Sequence, residues 1–145
     1  MYASTIALSD LLNMGYMGDW ATHHIDHAVS AVHDIPHGGG MAILFPHWME
    51  YVLDVNNAYR FKQLATSVFG VEDKDKSDLE IAKEGITQLK NLWKSWGAPT
   101  KLSDYGITED TIGIIADKTV QHQNEIGNFK QLNRDDVVAI LKASL

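Results

Sequence analysis

The chain has 145 residues, 45% hydrophobic and 21% charged, which is the length and composition of one globular domain with a sizeable core. Its formal charge is −7, its pI is about 5.3, and its lysines and arginines form no basic block, which argues against nucleic acid and anionic membrane as partners. The absence of cysteine excludes disulfides, thiolate metal sites and thiol catalysis and suits a reducing cytoplasm, and no apolar run reaches the roughly 18 residues that a membrane span needs.

The apolar periodicity is helical from end to end. Ile6, Leu8, Leu11 and Leu12 predict a short first helix stopping near Asn13 and Gly15. The segment lacks a positive leader region and an A-x-A cleavage pattern, so it reads as a helix and not as a signal peptide. Asp19 or Thr22 can cap a second helix that runs to about His33 and is stopped by Pro36. Gly38, Gly39 and Gly40 predict a close backbone approach before the helix "MAILFPHWMEYVL", in which Pro46 is a candidate kink.

Phe61, Leu64, Ala65 and Val68 mark a further helix closed by Gly70, and "VEDKDKSD" reads as a charged loop. Ser77-x-x-Glu80 forms a capping-box pattern ahead of Leu79, Ile86, Leu89, Trp93 and Trp96, with Gly97 and Pro99 as the stop. Thr108 and Asn133 can cap two last helices, one carrying Ile112, Ile115 and Ala116, the other Val137, Ile140 and Leu141. No alternating strand, repeat or low-complexity segment interrupts this pattern. The expected fold is an all-α bundle of about six to eight helices in a single domain, residues 1–145.

Histidine is distributed unevenly. Six of the seven lie between His23 and His47. His24, His33, His47 and His122 read as surface or satisfied core residues. His23 and His27 are four apart and share one helix face, with the small residues Ala28, Ser30 and Ala31 around them. His37 lies just past Pro36, where a reversal of the chain can bring it back towards that face. Neutral imidazoles suit Zn²⁺ or Fe²⁺, and pairs four apart recur in metal sites. The metalloprotease pattern H-E-x-x-H is absent, and two histidines alone are too few ligands for a stable site.

The stretch from Asp19 to Met49, "DWATHHIDHAVSAVHDIPHGGGMAILFPHWM", resembles the second signature of the iron-containing (group III) alcohol dehydrogenases, closest to the butanol dehydrogenase and aldehyde reductase branch. The elements that match are His23, His27, the small pair Ser30-Ala31, and Ile35-Pro36-His37-Gly38. "LSDYGI", Leu102 to Ile107, also looks like that branch, and the likeness covers nearly the whole chain. Asp26 departs from the pattern, where the family usually has a small residue or Glu.

This resemblance implies an NAD(P)-dependent enzyme of two domains that interconverts primary alcohols and aldehydes around one divalent metal, Fe²⁺ or Zn²⁺. It implies His23 and His37 as metal ligands and His27 as a catalytic residue on the substrate side. An Asp and another His would come from earlier in the chain, and an N-terminal α/β domain would carry a Gly-rich pyrophosphate loop. No such loop is present here, because the glycines after His37 do not follow a strand. The expectation is therefore the C-terminal metal- and substrate-facing domain alone, inactive as an isolated piece, with NAD(P)H bound through the missing N-terminal half. The expected partners are a small alcohol or aldehyde and that half. The open histidine face is also available to a symmetric partner, so a homo-oligomer is possible. A helical interaction module without chemistry is the competing expectation, as is a set of histidines merely lining a former interface.

Overall fold

The computed structural model describes residues 2–9 and 11–145. Among these residues seven α-helices follow in chain order: α1 (Tyr2–Leu8), α2 (Ala21–His33), α3 (His37–Val52), α4 (Ala58–Phe69), α5 (Asp78–Ser95), α6 (Ile112–Thr119) and α7 (Arg134–Ala143). Short 3₁₀ turns occupy Leu11–Asn13, Leu102–Tyr105 and Glu109–Thr111. Among the described residues the only β-type pairing is an isolated bridge between Ile126 and Leu132. The fold is all-α, as the periodicity predicts.

One core joins α2, α3, α5, α6 and α7. Ile25 and Val29, Ile43 and Leu44, Ile86, Ile112 and Ile115, and Val137 and Ile140 are all buried in it. Apolar side chains recurring three and four residues apart bury one stripe of each helix and leave its charges in water. A smaller cluster of Ala65, Val71 and Ile81 sits between α4 and α5. There the two backbones approach so closely that a Cβ on Gly85 would lie 2.5 Å from the Cβ of Ala65. Tyr51 on α3 donates a hydrogen bond to Asp136 on α7 at 2.5 Å, and this bond, with burial, pushes its phenol up to about 12.

The caps at Ser77 and Asn133 form as read, each a reciprocal box with Glu80 and Asp136 respectively. Gly70 and Gly97 close their helices with φ of 66° and 81°, a region that favours glycine. Elsewhere the structure corrects the sequence. Helix α1 ends at Leu8, where Ser9 hydrogen-bonds the carbonyl of Ile6 through both its N–H and its hydroxyl. Ile6, Leu8, Leu11 and Leu12 are exposed, since an apolar stripe records amphipathicity and not what covers it. Val68 and Trp96 are likewise exposed. Thr22 is buried inside α2 instead of capping it, and Thr108 bonds Asp110 without capping a helix N–H.

The largest correction concerns the glycines. Helix α3 already begins at His37, so Gly38, Gly39 and Gly40 form its first turn and not a loop before it. A Cβ on Gly40 would collide with the carboxylate of Asp26, and one on Gly39 with the hydroxyl of Tyr105. At these two positions a side chain would displace what lies against the helix. Helix α3 then runs unbroken through buried Pro46, whose ring nitrogen can offer no hydrogen bond to the carbonyl four residues back.

Candidate functional site

The start of α2 is fixed by Asp19. One of its oxygens accepts the N–H of Ala21 at 2.9 Å, and the other accepts those of Asn128 and Phe129, both at 2.7 Å. From this anchored end, His23 and His27 project one helical turn apart, with ring centroids 6.1 Å from each other. The ring of Trp20 packs 4.9 Å from that of His23 and helps to half-bury it.

His37 reaches the same place through a tight reversal. Asp34 adopts a left-handed conformation, φ 52° and ψ 44°, and its N–H closes α2 on the carbonyl of Ser30. The hydroxyl of Ser30 then donates to the carbonyl of Ile35 at 3.3 Å, and buried Ile35 pins the turn to the core. Pro36 supplies the extended residue before α3, and His37 is the first residue of that helix. The His37 ring lies 5.0 Å from that of His23 and 5.6 Å from that of His27.

One ring nitrogen from each of these three histidines lies within 4.8 Å of the other two. His23 is half-buried and the other two are exposed. Burial, and then the neighbouring His37 and His27, hold the His23 imidazole below its ordinary range, which favours its neutral form. Three imidazole nitrogens converging in this way fit a divalent cation such as Zn²⁺ or Fe²⁺ as part of its shell, with positions left for other ligands.

Asp26 stands behind the cluster. It is fully buried, and its Oδ2 accepts a hydrogen bond from Nδ1 of His37, while its Oδ1 is buried without a partner. Burial pushes its carboxyl up from the ordinary range, and the hydrogen bond and the three imidazoles pull it back down. Sequence reading registered Asp26 only as a departure from a pattern. The available signal was a carboxylate placed between two candidate ligands on the core side of an amphipathic helix.

The histidines set aside lie outside this cluster. The Nε2 of His33 is 2.9 Å from the hydroxyl of Thr111, and His122 pairs with Gln121 at 3.0 Å. His47 donates from Nδ1 to the carbonyl of Ile43 at 2.7 Å. His24 is exposed and lines, with His27, Ala28, Ala31, Lys118 and His122, part of a groove of about 370 Å³. His27 borders that groove, whereas His23 and His37 do not.

Fold and site together define an all-α domain whose chemistry-bearing residues gather where two consecutive helices meet. Matching over residues 1–145 places the chain in the Fe-containing alcohol dehydrogenase family, as its C-terminal part. It is 55% identical over its whole length to "Probable NADH-dependent butanol dehydrogenase 2" of Bacillus subtilis. The crystal structure of NADH-dependent butanol dehydrogenase A from Thermotoga maritima superposes on 99% of the chain with TM-score 0.87 and 38% identity. That of YqhD from Escherichia coli K-12 covers all of it, with TM-score 0.90 and 30% identity. In each comparison the chain spans 37% of the relative's own length.

Proposed function

We propose that this chain is the metal- and substrate-facing helical part of an NAD(P)-dependent alcohol dehydrogenase that interconverts primary alcohols and aldehydes. The observation that carries the reading is the convergence of His23, His27 and His37 in a chain of this family. His23 and His37 would hold the divalent cation, Fe²⁺ or Zn²⁺. The firmer setting of these two rings supports the assignment: Trp20 packs on one and Asp26 hydrogen-bonds the other.

When bound, the cation supplies Lewis acidity towards the substrate oxygen and the nicotinamide supplies or accepts the hydride. His27 belongs to the cluster and also lines the groove, and among the described residues no hydrogen bond fixes its ring. An exposed imidazole so placed can exchange a proton at a ring nitrogen with a hydroxyl bound beside it. The nucleotide-binding portion, and the remaining ligands, would come from sequence that corresponds to the unmatched part of the relatives. The isolated 145 residues would then lack turnover, because neither hydride donor nor substrate oxygen is positioned.

Calorimetric titration with Zn²⁺, alongside an assay of aldehyde reduction with NADH and NADPH, tests this. The expected results are no turnover by the chain alone and weak Zn²⁺ binding that His23→Ala or His37→Ala removes and His27→Ala largely preserves. Loss of binding only in His27→Ala would reverse the division of roles. Zn²⁺ binding indifferent to all three substitutions, or turnover by the chain alone, would overturn the proposal.

A further inference from the structure

Among the described residues Asp26 is the one acidic side chain sealed in the core, and no requirement of packing explains it. A carboxylate removed from water is costly unless it is hydrogen-bonded, and only one of its two oxygens has a partner. That partner is His37, eleven residues further on and in the next helix. The contact exists because α3 presents glycine where any other residue would expel the carboxylate: a Cβ on Gly40 would overlap Asp26 and crowd the Cδ1 of Ile35. Two positions, 26 and 40, are therefore matched to allow one hydrogen bond.

The consequence lies on the other side of the ring. A neutral imidazole carries one N–H and one lone pair. If Nδ1 keeps its proton to donate to Asp26, the lone pair is on Nε2. We infer that Asp26 is a positioning residue for the histidine cluster, which holds His37 as the Nδ1–H tautomer in a fixed ring orientation and so presents Nε2 to a divalent cation shared with His23. The inference rests on reading the cluster as a cation site. Carboxylate partners behind a ligating histidine set its tautomer and raise its basicity, and their loss typically weakens metal affinity about 10–100-fold. Among the described residues the Asp26 side chain hydrogen-bonds the His37 ring alone, so its positioning effect is exerted through that ring.

Two measurements test this without reference to turnover. Two-bond ¹H–¹⁵N correlation NMR of the metal-free, ¹⁵N-labelled chain reads the tautomer of His37 directly. Co²⁺ titration followed by visible absorption reads affinity. The expected result is the Nδ1–H tautomer in the wild type, with both tautomers populated in Asp26→Asn, which can donate as well as accept. Co²⁺ affinity should fall about 10–100-fold in that variant, by the same rule. His37 found as the Nε2–H tautomer in the wild type overturns the inference whether or not the variant folds. So does a folded Asp26→Asn that matches the wild type in tautomer and affinity while His23→Ala still abolishes Co²⁺ binding; that outcome leaves the cation-site reading intact. If wild-type Co²⁺ binding does not involve the histidines at all, the cation-site reading fails and this inference fails with it.

Discussion

Asp19 and Phe129 stand 110 residues apart in the chain and share one hydrogen bond of 2.7 Å, from the N–H of Phe129 to Oδ2 of Asp19. The same oxygen accepts the N–H of Asn128, and the other accepts that of Ala21. One carboxylate therefore satisfies three backbone donors and locks the loop before α7 onto the start of the helix that carries His23 and His27.

Removing that carboxylate leaves these N–H groups without their acceptor, two of them in partly buried surroundings. Hydrogen bonds to a charged acceptor are worth more than neutral ones, so Asp19→Ala should cost about 2–3 kcal/mol of stability. Asp19→Asn, which keeps the acceptor but not the charge, should recover part of that. Urea denaturation followed by circular dichroism measures both. A loss below about 0.5 kcal/mol for the alanine variant, the ordinary range for a surface substitution, would show that the lock is not energetically significant.

Gly38 and Gly40 occupy the same helical turn and should respond oppositely to alanine. A Cβ at residue 38 meets nothing within 4 Å, so Gly38→Ala should be neutral or stabilise by up to about 1 kcal/mol through reduced chain entropy. Gly40→Ala forces a methyl group into the Asp26 carboxylate and should destabilise by about 1–3 kcal/mol, as overpacking does. It should also displace His37. Thermal melts of the two variants decide the point, and a Gly40→Ala as stable as the wild type would mean that the carboxylate can move aside at no cost.

Much of this arrangement was legible in the sequence, and its limits are physical. The spacing of His23 and His27 settles their common face, because helical geometry alone does so. The return of His37 could be anticipated from Pro36, but its path depends on Asp34 taking a left-handed conformation, which non-glycine residues seldom adopt. The three glycines read as a close backbone approach ahead of the helix, since glycine is a poor helix former. The close approach is there, to Tyr105 at Gly39 and to Asp26 at Gly40, but it falls within the first turn of α3 and not before it. Asp26 itself gave no sign of its partner, because the pairing is created by the docking of α3 on α2. The apolar residues before Trp20 could be read for period but not for burial, since no pattern says what covers a face.

His47 carries the pH dependence. Burial holds its imidazole below the ordinary 6.5, the hydrogen bond to the Ile43 carbonyl opposes this, Lys90 and Lys101 depress it further, and Glu50 raises it. A base whose folded value is depressed binds its proton more readily when unfolded, so unfolding takes up protons in this window. The stability it contributes is complete above pH 6.5 and is lost as pH falls through the lower folded value. His47→Gln keeps a side chain able to donate but removes the titration. The stability of the wild type relative to this variant should therefore be constant above pH 6.5 and decline steadily on acidification below it. Urea unfolding of both proteins in metal-free buffer between about pH 5 and 8, which brackets the imidazole range, measures the difference. A difference that stays flat, or that grows towards acid, would mean that the imidazole is not desolvated as its place between α3 and the Lys90 face of α5 implies.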